Sequence, residues 1–481
     1  MRIHRHGWRP AAGIVAAVVS GAVGLGLLPG TAVAARMATP GDFNGDGYRD
    51  LVLSAPWRTV SGKSGAGAVV VLYGSASGVS PTRRVVITQN SPGVPGSSET
   101  DDVFGHSTAV ADLNHDGYAD LVVGTPYEDL PSGKDAGMVS VLWGSRSGLG
   151  SGTALEQPHS AGGYFGLDVA AVKGSTSATT RVLAASWQGV AEYAGPFSRT
   201  GTVGSTYWNT HTAAVGAVAL GDVDKRGGAD SFIFTVRIGD EGGQVHVNSD
   251  GRWPRPVLSQ GDGLTGAVGD VNGDGYGDLV VGDPDEPGSS GSGDEGAVGG
   301  RISVWPGTAT GIDLDAKPWH ISQDTAGVPG AGEKYDEFGA AVAVADLNRD
   351  GAAEIVVGVP SEALGSTGRA GQVVVIPGRK TGALGAGAYG ISQDTASVPG
   401  GSETDDMFGT TVAVGDLTKD GRPELMVSAV GENNYQGALW ALPGSTTGPT
   451  GKGSKMMLPS ALGLSQSDPV ALGGQGEAFH G

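Results

Sequence analysis

Asp42-Phe43-Asn44-Gly45-Asp46-Gly47-Tyr48-Arg49-Asp50, followed by the apolar run Leu51-Val52-Leu53, is the stretch on which the reading of this chain turns. Side-chain oxygens stand at positions 1, 3, 5 and 9 of the nonapeptide, and glycine stands at position 6. The pattern returns at residues 112–120, 270–278, 346–354 and 416–424. Asn-Gly and Asp-Gly are good hairpin chemistry, which explains the asparagine and the glycine. It does not explain an acid at positions 1, 5 and 9 in all five copies, because clustered like charges repel unless a cation sits among them. Hard cations such as calcium take six to eight oxygens, and a tight glycine turn lets one short loop supply most of them.

The loops sit in a larger repeat, which fixes the architecture. A Phe-Gly pair opens an apolar stretch (Phe104-Gly105, Phe338-Gly339, Phe408-Gly409), and the acidic loop follows. A short β-branched run comes next, such as Leu121-Val122-Val123 or Ile355-Val356-Val357, and then a second run ending in glycine, as in residues 138–144. Such runs, bounded by Gly and Pro, read as strands. A linker also repeats: Ile87-Thr88-Gln89, Ile321-Ser322-Gln323 and Ile391-Ser392-Gln393 each lead through Val-Pro-Gly to the next Phe-Gly. The first acids of successive units lie 70, 110, 48, 76 and 70 residues apart when Asp222 is counted. The long step holds Phe165-Gly166, a unit without its acidic loop, so the count is seven; reading 155–200 as an insertion would make it six. Four-stranded sheets repeated radially form a β-propeller. The fold expected is therefore all-β, a seven-bladed β-propeller of four-stranded blades with calcium-binding loops. The segment from Ser465-Gln466 to Phe479-His480-Gly481 looks like a shortened linker, expected to close the ring against blade 1.

Residues 1–34 read as a secretory signal: Arg2, Arg5 and Arg9, an apolar stretch over 11–28, and the small-residue site Ala32-Val33-Ala34. The mature chain expected is 35–481, or 447 residues (481 − 34), with no second run long enough to span a bilayer. The expected location is extracellular. The chain has no cysteine, so bound metal rather than disulfides is the expected staple. Its net charge of −20 makes it a poor partner for nucleic acid. Fifteen of the 50 acids lie in the five loops, so much of the acidity is ligand chemistry.

Phe-Gly, an acidic loop, and then Gly124-Thr125-Pro126 or Ser54-Ala55-Pro56 resembles the FG-GAP repeat. That repeat builds the propeller at the N-terminus of integrin α chains and recurs in secreted bacterial proteins. The resemblance covers nearly all of 35–481 and implies about five calcium ions. By position it assigns Asp42, Asn44, Asp46, Asp50 and the Tyr48 carbonyl to the first, and Asp112, Asn114, Asp116, Tyr118 and Asp120 to the second. Asp270, Asn272, Asp274, Tyr276 and Asp278 follow, then Asp346, Asn348, Asp350, Ala352 and Glu354. The last set is Asp416, Thr418, Asp420, Arg422 and Glu424, and Thr418 makes it the weakest. The unit at Asp222 carries Arg226 where an oxygen is needed, so no tight site is expected there. The chain has no inserted adhesion domain, so integrin function does not transfer with the repeat.

No H-E-x-x-H and no G-x-S-x-G motif occurs, and the histidines are scattered. Blades 3 and 4 carry Tyr164, Phe165, Trp187, Tyr193, Phe197, Tyr207, Trp208 and Trp253. Trp187, Tyr207 and Trp208 are the candidate ligand-binding residues there, against the alternative of ordinary blade packing. The acidic stretch 283–295 reads as a solvated loop. The expected function is a secreted binding or adhesion module for an extracellular protein or glycan. A lectin-like polysaccharide binder is the alternative, and a lyase or hydrolase with its site on a propeller face is the third reading.

Overall fold

The computed structural model describes residues 38–157, 161–211, 213–237, 243–248, 256–287, 296–464 and 469–474. The leader read at 1–34, Trp253, most of the 283–295 stretch and the Phe479-His480-Gly481 terminus lie outside the described residues. Seven four-stranded antiparallel sheets follow one another along the chain. Blade 1 is β1 (Ala38–Gly41), β2 (Asp50–Ala55), β3 (Ala68–Leu72) and β4 (Arg84–Ile87). Blade 2 is β5 (Ser107–Ala111), β6 (Asp120–Thr125), β7 (Met138–Leu142) and β8 (Gly152–Ala154). Blade 3 is β9 (Val169–Val172), β10 (Arg181–Ser186), β11 (Gly189–Ala194) and β12 (Ser205–Thr210). Blade 4 is β13 (Val215–Gly221), β14 (Asp230–Thr235), β15 (Gln244–Asn248) and β16 (Val257–Asp262). Blade 5 is β17 (Thr265–Gly269), β18 (Asp278–Asp283), β19 (Arg301–Trp305) and β20 (Trp319–Ile321). Blade 6 is β21 (Ala341–Ala345), β22 (Glu354–Val359), β23 (Gln372–Ile376) and β24 (Tyr389–Ile391). Blade 7 is β25 (Phe408–Gly415), β26 (Glu424–Ala429), β27 (Ala438–Leu442) and β28 (Lys455–Met457).

The innermost strands pack in chain order, and β25 packs back on β1, so the ring closes. The count is seven, and Phe165-Gly166 does mark the unit without an acidic loop. Every residue of β2, β6, β14, β18, β22 and β26 is buried. Both faces of these second strands are covered by neighbouring blades, which is why they read as continuous apolar runs rather than alternating ones. The outer strands, three or four residues long in blades 1, 2, 5, 6 and 7 and six in blades 3 and 4, are partly exposed and form the open edges of each sheet.

The core is divided into seven layers, one between each pair of adjacent blades. At four junctions the phenylalanine of the next Phe-Gly pair fills the layer: Phe104, Phe165, Phe338 and Phe408, none more than 1% exposed. The glycine that follows turns the chain at positive φ, 86° at Gly105 and 101° at Gly339, where a side chain would be strained. Its N–H bonds the second strand: Gly105 to the Gly124 carbonyl and Gly339 to the Gly358 carbonyl, both at 3.1 Å.

Ring closure uses the same bond, made from within the 465–481 segment expected to close it: Leu472-Gly473 stands in the Phe-Gly place for blade 1. The Gly473 N–H donates to the Ser54 carbonyl in β2 at 2.9 Å, and Leu472 pairs with Gly437 of blade 7. Leu462, Leu464, Val470 and Leu472 are all buried with Leu51, Leu53 and Leu72 of blade 1 and Met426 and Leu439 of blade 7. Leucine serves there because the layer needs apolar volume rather than an aromatic ring.

Candidate metal centres

Each acidic loop joins the first and second strands of its blade, so the loops fall on one face of the ring. Neighbours touch: the Ala119 N–H donates to the Asp42 carbonyl at 2.9 Å, and the Ala353 N–H to the Asp270 carbonyl at 2.7 Å. Within a loop the side chains are fixed by the loop's own amides. In the first copy Asp42 accepts the N–H groups of Asp46 and Gly47 at 3.2 and 2.8 Å, Asn44 accepts Asp46 N–H at 2.8 Å, and Asp46 accepts Tyr48 N–H at 3.0 Å. The same bonds recur for Asp112, Asn114 and Asp116, for Asp270, Asn272 and Asp274, and for Asp346, Asn348 and Asp350. Asp416 and Asp420 keep theirs, with Arg422 at position 7, but the Thr418 hydroxyl donates instead to Glu424 at 3.0 Å.

The acid at position 9 has a second task. Asp50, Asp120 and Asp278 each accept two backbone N–H groups, one from loop position 2 and one from the glycine after the third strand (Gly74, Gly144, Gly307), at 2.9–3.0 Å. They thereby stitch the loop to the blade. Glu354 and Glu424 are one methylene longer: one oxygen bonds position 2, and the other reaches Asn348 or Thr418. Burial, joined by the charge of the acids at positions 1 or 5, pushes Asp50, Asp120, Asp278 and Glu354 up to about 7. A donor set of oxygens alone, holding buried carboxylates that disfavour their own charge, fits a hard divalent cation such as calcium. Position 7 is represented by Tyr48, Tyr118, Tyr276, Ala352 and Arg422, whose main chain closes each turn.

Protein cations lean on two of the loops. Lys173 of blade 3 lies 2.6 Å from Asp112, and Arg199 lies 2.7 Å from Asp116. Arg83 stands 3.5 Å from Asp46.

The fourth unit, where the sequence predicts no tight site, brings its carboxylates nearest together. Among the described residues Asp222, Asp224 and Asp230 form a trio of acids whose oxygens all lie within 4.8 Å of one another. Arg226 at position 5 answers part of that charge, 3.4 Å from Asp224. This unit keeps glycine at position 6 with φ of 79°, and Asp224 still accepts the Arg226 N–H at 2.9 Å. The turn therefore forms without an acid at position 5.

The aromatic candidates do not converge. Trp187 stacks edge-on to Tyr164 (6.3 Å between centroids), and Tyr164 to Tyr127 (5.3 Å), at the junction of blades 2 and 3. Trp208 packs instead on Phe165 at 6.4 Å within the core layer, while Tyr207 stands 55% exposed on the outer strand. Phe165, Tyr193 and Phe197 are ordinary blade packing, each no more than 5% exposed.

Two buried polar clusters escaped the sequence reading. The first recurs three times: Gln89 donates to Glu128 (2.5 Å), Gln323 to Glu362 (2.7 Å) and Gln393 to Glu432 (2.8 Å), each pair 39 residues apart. Asp102, Asp336 and Asp406 lie beside them, each accepting the N–H of Glu99, Glu333 or Glu403. The constant spacing was the available signal. The second cluster corrects the solvated-loop reading at 283–286. Asp283 is fully buried and pairs with Arg237 at 2.9 Å and Arg301 at 3.2 Å. Arg237, 4% exposed, also bonds Asp262 and Asp285. This network ties blade 4 to blade 5 where no Phe-Gly exists; Gly263-Leu264 stands there, and the Leu264 N–H donates to the Gly282 carbonyl at 2.9 Å.

Comparison with known proteins agrees with the repeat pattern. The FG-GAP repeat matches residues 38–72, 104–142, 263–305, 338–376 and 408–442. These are blades 1, 2, 5, 6 and 7, the five with complete acidic loops. Phosphatidylinositol-glycan-specific phospholipase D of Mus musculus is 34% identical over 110 residues, 23% of this chain and 13% of the phospholipase. The Dictyostelium discoideum phospholipase of the same name is 26% identical over 219 residues, 44% of this chain and 21% of its own. Integrin alpha-IIb of Mus musculus is 39% identical over 103 residues, 20% of this chain and 9% of the integrin. This chain thus spans between 9% and 21% of the length of these relatives. No helix among the described residues is long and apolar enough to cross a membrane. The chain carries five FG-GAP repeats and shows homology to the propeller regions of integrin α chains and to phosphatidylinositol-glycan-specific phospholipase D.

Proposed function

We propose that this protein is a secreted, calcium-binding β-propeller that acts as a binding module for an extracellular protein or glycan. One observation carries the metal reading. The Asp222 turn folds with Arg226 at position 5, so an acid there is not required by the hairpin. Five other turns nevertheless hold acids at positions 1, 5 and 9 on the same face. Calcium would neutralise those carboxylates. The side chains of positions 1, 3, 5 and 9, with the position 7 carbonyl, would hold it, the position 9 acid also anchoring the loop to the blade. Since the loops are repeated turns within the frame, the ion is a staple, and binding belongs to the surfaces that the staples hold rigid.

Calorimetric titration of the chelator-stripped protein should give a stoichiometry near five calcium ions. Retention on a panel of glycans and cell-wall fractions, with calcium and with chelator, should then be calcium-dependent on one class. A stoichiometry of zero or one would refute the metal reading. Retention that chelator leaves unchanged would separate binding from the loops.

A further inference from the structure

Between blades 1 and 2, on the face that carries the acidic turns, a groove of about 800 Å³ opens beside the first loop. Pockets of roughly 300–1,000 Å³ hold small organic ligands. Three arginines line this one, Arg83, Arg84 and Arg146, in a chain whose net charge is −20. Arg83 is held by the Gly74 carbonyl at 2.7 Å and by Asp46, and Arg84 by the Pro81 carbonyl at 2.5 Å. Arg146 has no hydrogen-bond or ion-pair partner among the described residues, and it is exposed at the groove. A guanidinium offers a planar fork of donors that matches a carboxylate in two parallel bonds. Within the groove Asp46 answers Arg83, which leaves Arg84 and Arg146 in excess, and salt screens acids beyond about 8 Å at physiological ionic strength.

The remaining walls specify what carries the anion. Tyr118 presses its ring against Gly45, where an added Cβ would lie 2.7 Å from the ring, and Tyr73 is held by the Leu149 backbone. Both rings are thus fixed in place, half-buried, at the groove. The Thr82 and Ser147 hydroxyls, Asn44, Gly45 and Asp46, the last paired with Arg83, complete the lining, and no aliphatic side chain belongs to it. A peptide finds affinity in apolar pockets for its side chains, which this groove lacks. A sugar ring finds it in an aromatic face and in polar groups for its hydroxyls.

We propose that the groove between blades 1 and 2 binds a carboxylate-bearing saccharide, a uronate-containing glycan, with Arg146 as the residue that takes the carboxylate. This rests on the binding-module reading and names its ligand class. Arg84, tied to the main chain, adds to the positive field, while Arg83 is answered by Asp46. Tyr73 and Tyr118 supply the stacking faces.

The test is titration calorimetry of the full chain at saturating calcium with a hyaluronan hexasaccharide, its carboxyl-reduced counterpart, inorganic phosphate and a short poly-glutamate peptide. The charged hexasaccharide should bind, and the reduced one should bind at least tenfold more weakly. Arg146→Ala should weaken the charged ligand at least tenfold, and Arg146→Lys should fall between. Because Arg146 has no partner to lose, the melting temperature and the calcium stoichiometry of both variants should match the parent. Equal binding by Arg146→Ala, equal binding of the reduced sugar, or preference for poly-glutamate or phosphate would each overturn the assignment. If the calcium stoichiometry holds and no uronate binds, this inference fails while the calcium propeller stands. If glycan retention survives Arg146→Ala, the module binds glycan elsewhere.

Discussion

Arg237→Met tests whether a buried ion network replaces the missing Phe-Gly at the junction of blades 4 and 5. Arg237 is 4% exposed and faces Asp262, Asp283 and Asp285, of which Asp283 is wholly buried. Burial disfavours its charge, but Asp283 and Asp262 more than compensate and raise its pKa. Removing the guanidinium leaves the three acids with Arg301 as their one cation among the described residues, 3.2 Å from Asp283 and 3.6 Å from Asp262. Breaking a buried pair from one side costs about 3–5 kcal/mol, because an uncompensated charge stays behind. Unfolding entropy of ~2.1 cal/mol/K per residue over 481 residues is on the order of 1 kcal/mol/K, so the melting temperature should fall by about 3–5 °C. Calorimetry at pH 7.5 reads this directly. The sign with pH is fixed by Asp283, which burial pushes up to about 6 despite Arg237. Without Arg237 it rises further, so acidification to pH 5.5 should protonate it and recover much of the loss. Asp283→Asn in the variant should recover it at pH 7.5. A melt within 1 °C of the parent at pH 7.5, or no recovery by either route, would refute the network's role.

Three further outcomes follow from the same description. Lys173→Ala with Arg199→Ala should tighten calcium binding at the second loop, since both cations otherwise occupy Asp112 and Asp116; calorimetric titration showing unchanged affinities would count against it. Glu128 is pushed up to about 7 by burial from an ordinary 4.5, so its favourable contribution is complete below pH 4.5 and is lost as pH rises through 7. The protein in saturating calcium should therefore melt higher at pH 6 than at pH 8, and Glu128→Gln should stabilise it at pH 8 by up to about 3 kcal/mol; a melt that falls on acidification over this range reverses the sign and rejects the reading. Leu472→Ala empties a fully buried site between blades 7 and 1 and should cost about 2–5 kcal/mol, with hydrogen exchange rising first at the amides of residues 472 and 473, which donate to Gln436 and Ser54, rather than at blade 4.

The ring, its seven units and its loops were legible because each rests on local chemistry. Oxygens at fixed offsets with glycine at position 6 specify the turn, and Phe165-Gly166 specifies a unit even without its loop. What stayed hidden depends on partners distant in sequence. Asp283 looks like a surface acid in an acidic stretch, yet it is buried because Arg237, 46 residues earlier, comes from the neighbouring blade. Leu472-Gly473 carries no phenylalanine, so a search for the motif passes over it to Phe479. Trp187 and Trp208 look alike in composition, but a hairpin end and an outer strand place them in different layers. Arg226 reads as a fault in a ligand set, whereas the fold uses it as the counter-charge to Asp224.

The seam at Leu472-Gly473 sets the order in which the ring can become whole. At blade 2 the glycine–strand bond joins Gly105 and Gly124, 19 residues apart (124 − 105), whereas the same bond at blade 1 joins Gly473 and Ser54, 419 apart (473 − 54). For a flexible chain, closing the longer loop carries an extra entropic cost of about 3 kcal/mol. Six neighbours are already leashed to each other by short linkers, and the seventh pair must find itself across the full length of the protein. A partly assembled ring is therefore an open arc with two bare flanks, blade 1 waiting on one side and blade 7 on the other. Two such arcs compete with closure of one only where the protein is concentrated enough to rival the effective concentration within a single chain. The residues after blade 7 thus do more than add one contact: they decide whether a chain closes upon itself or upon its neighbour.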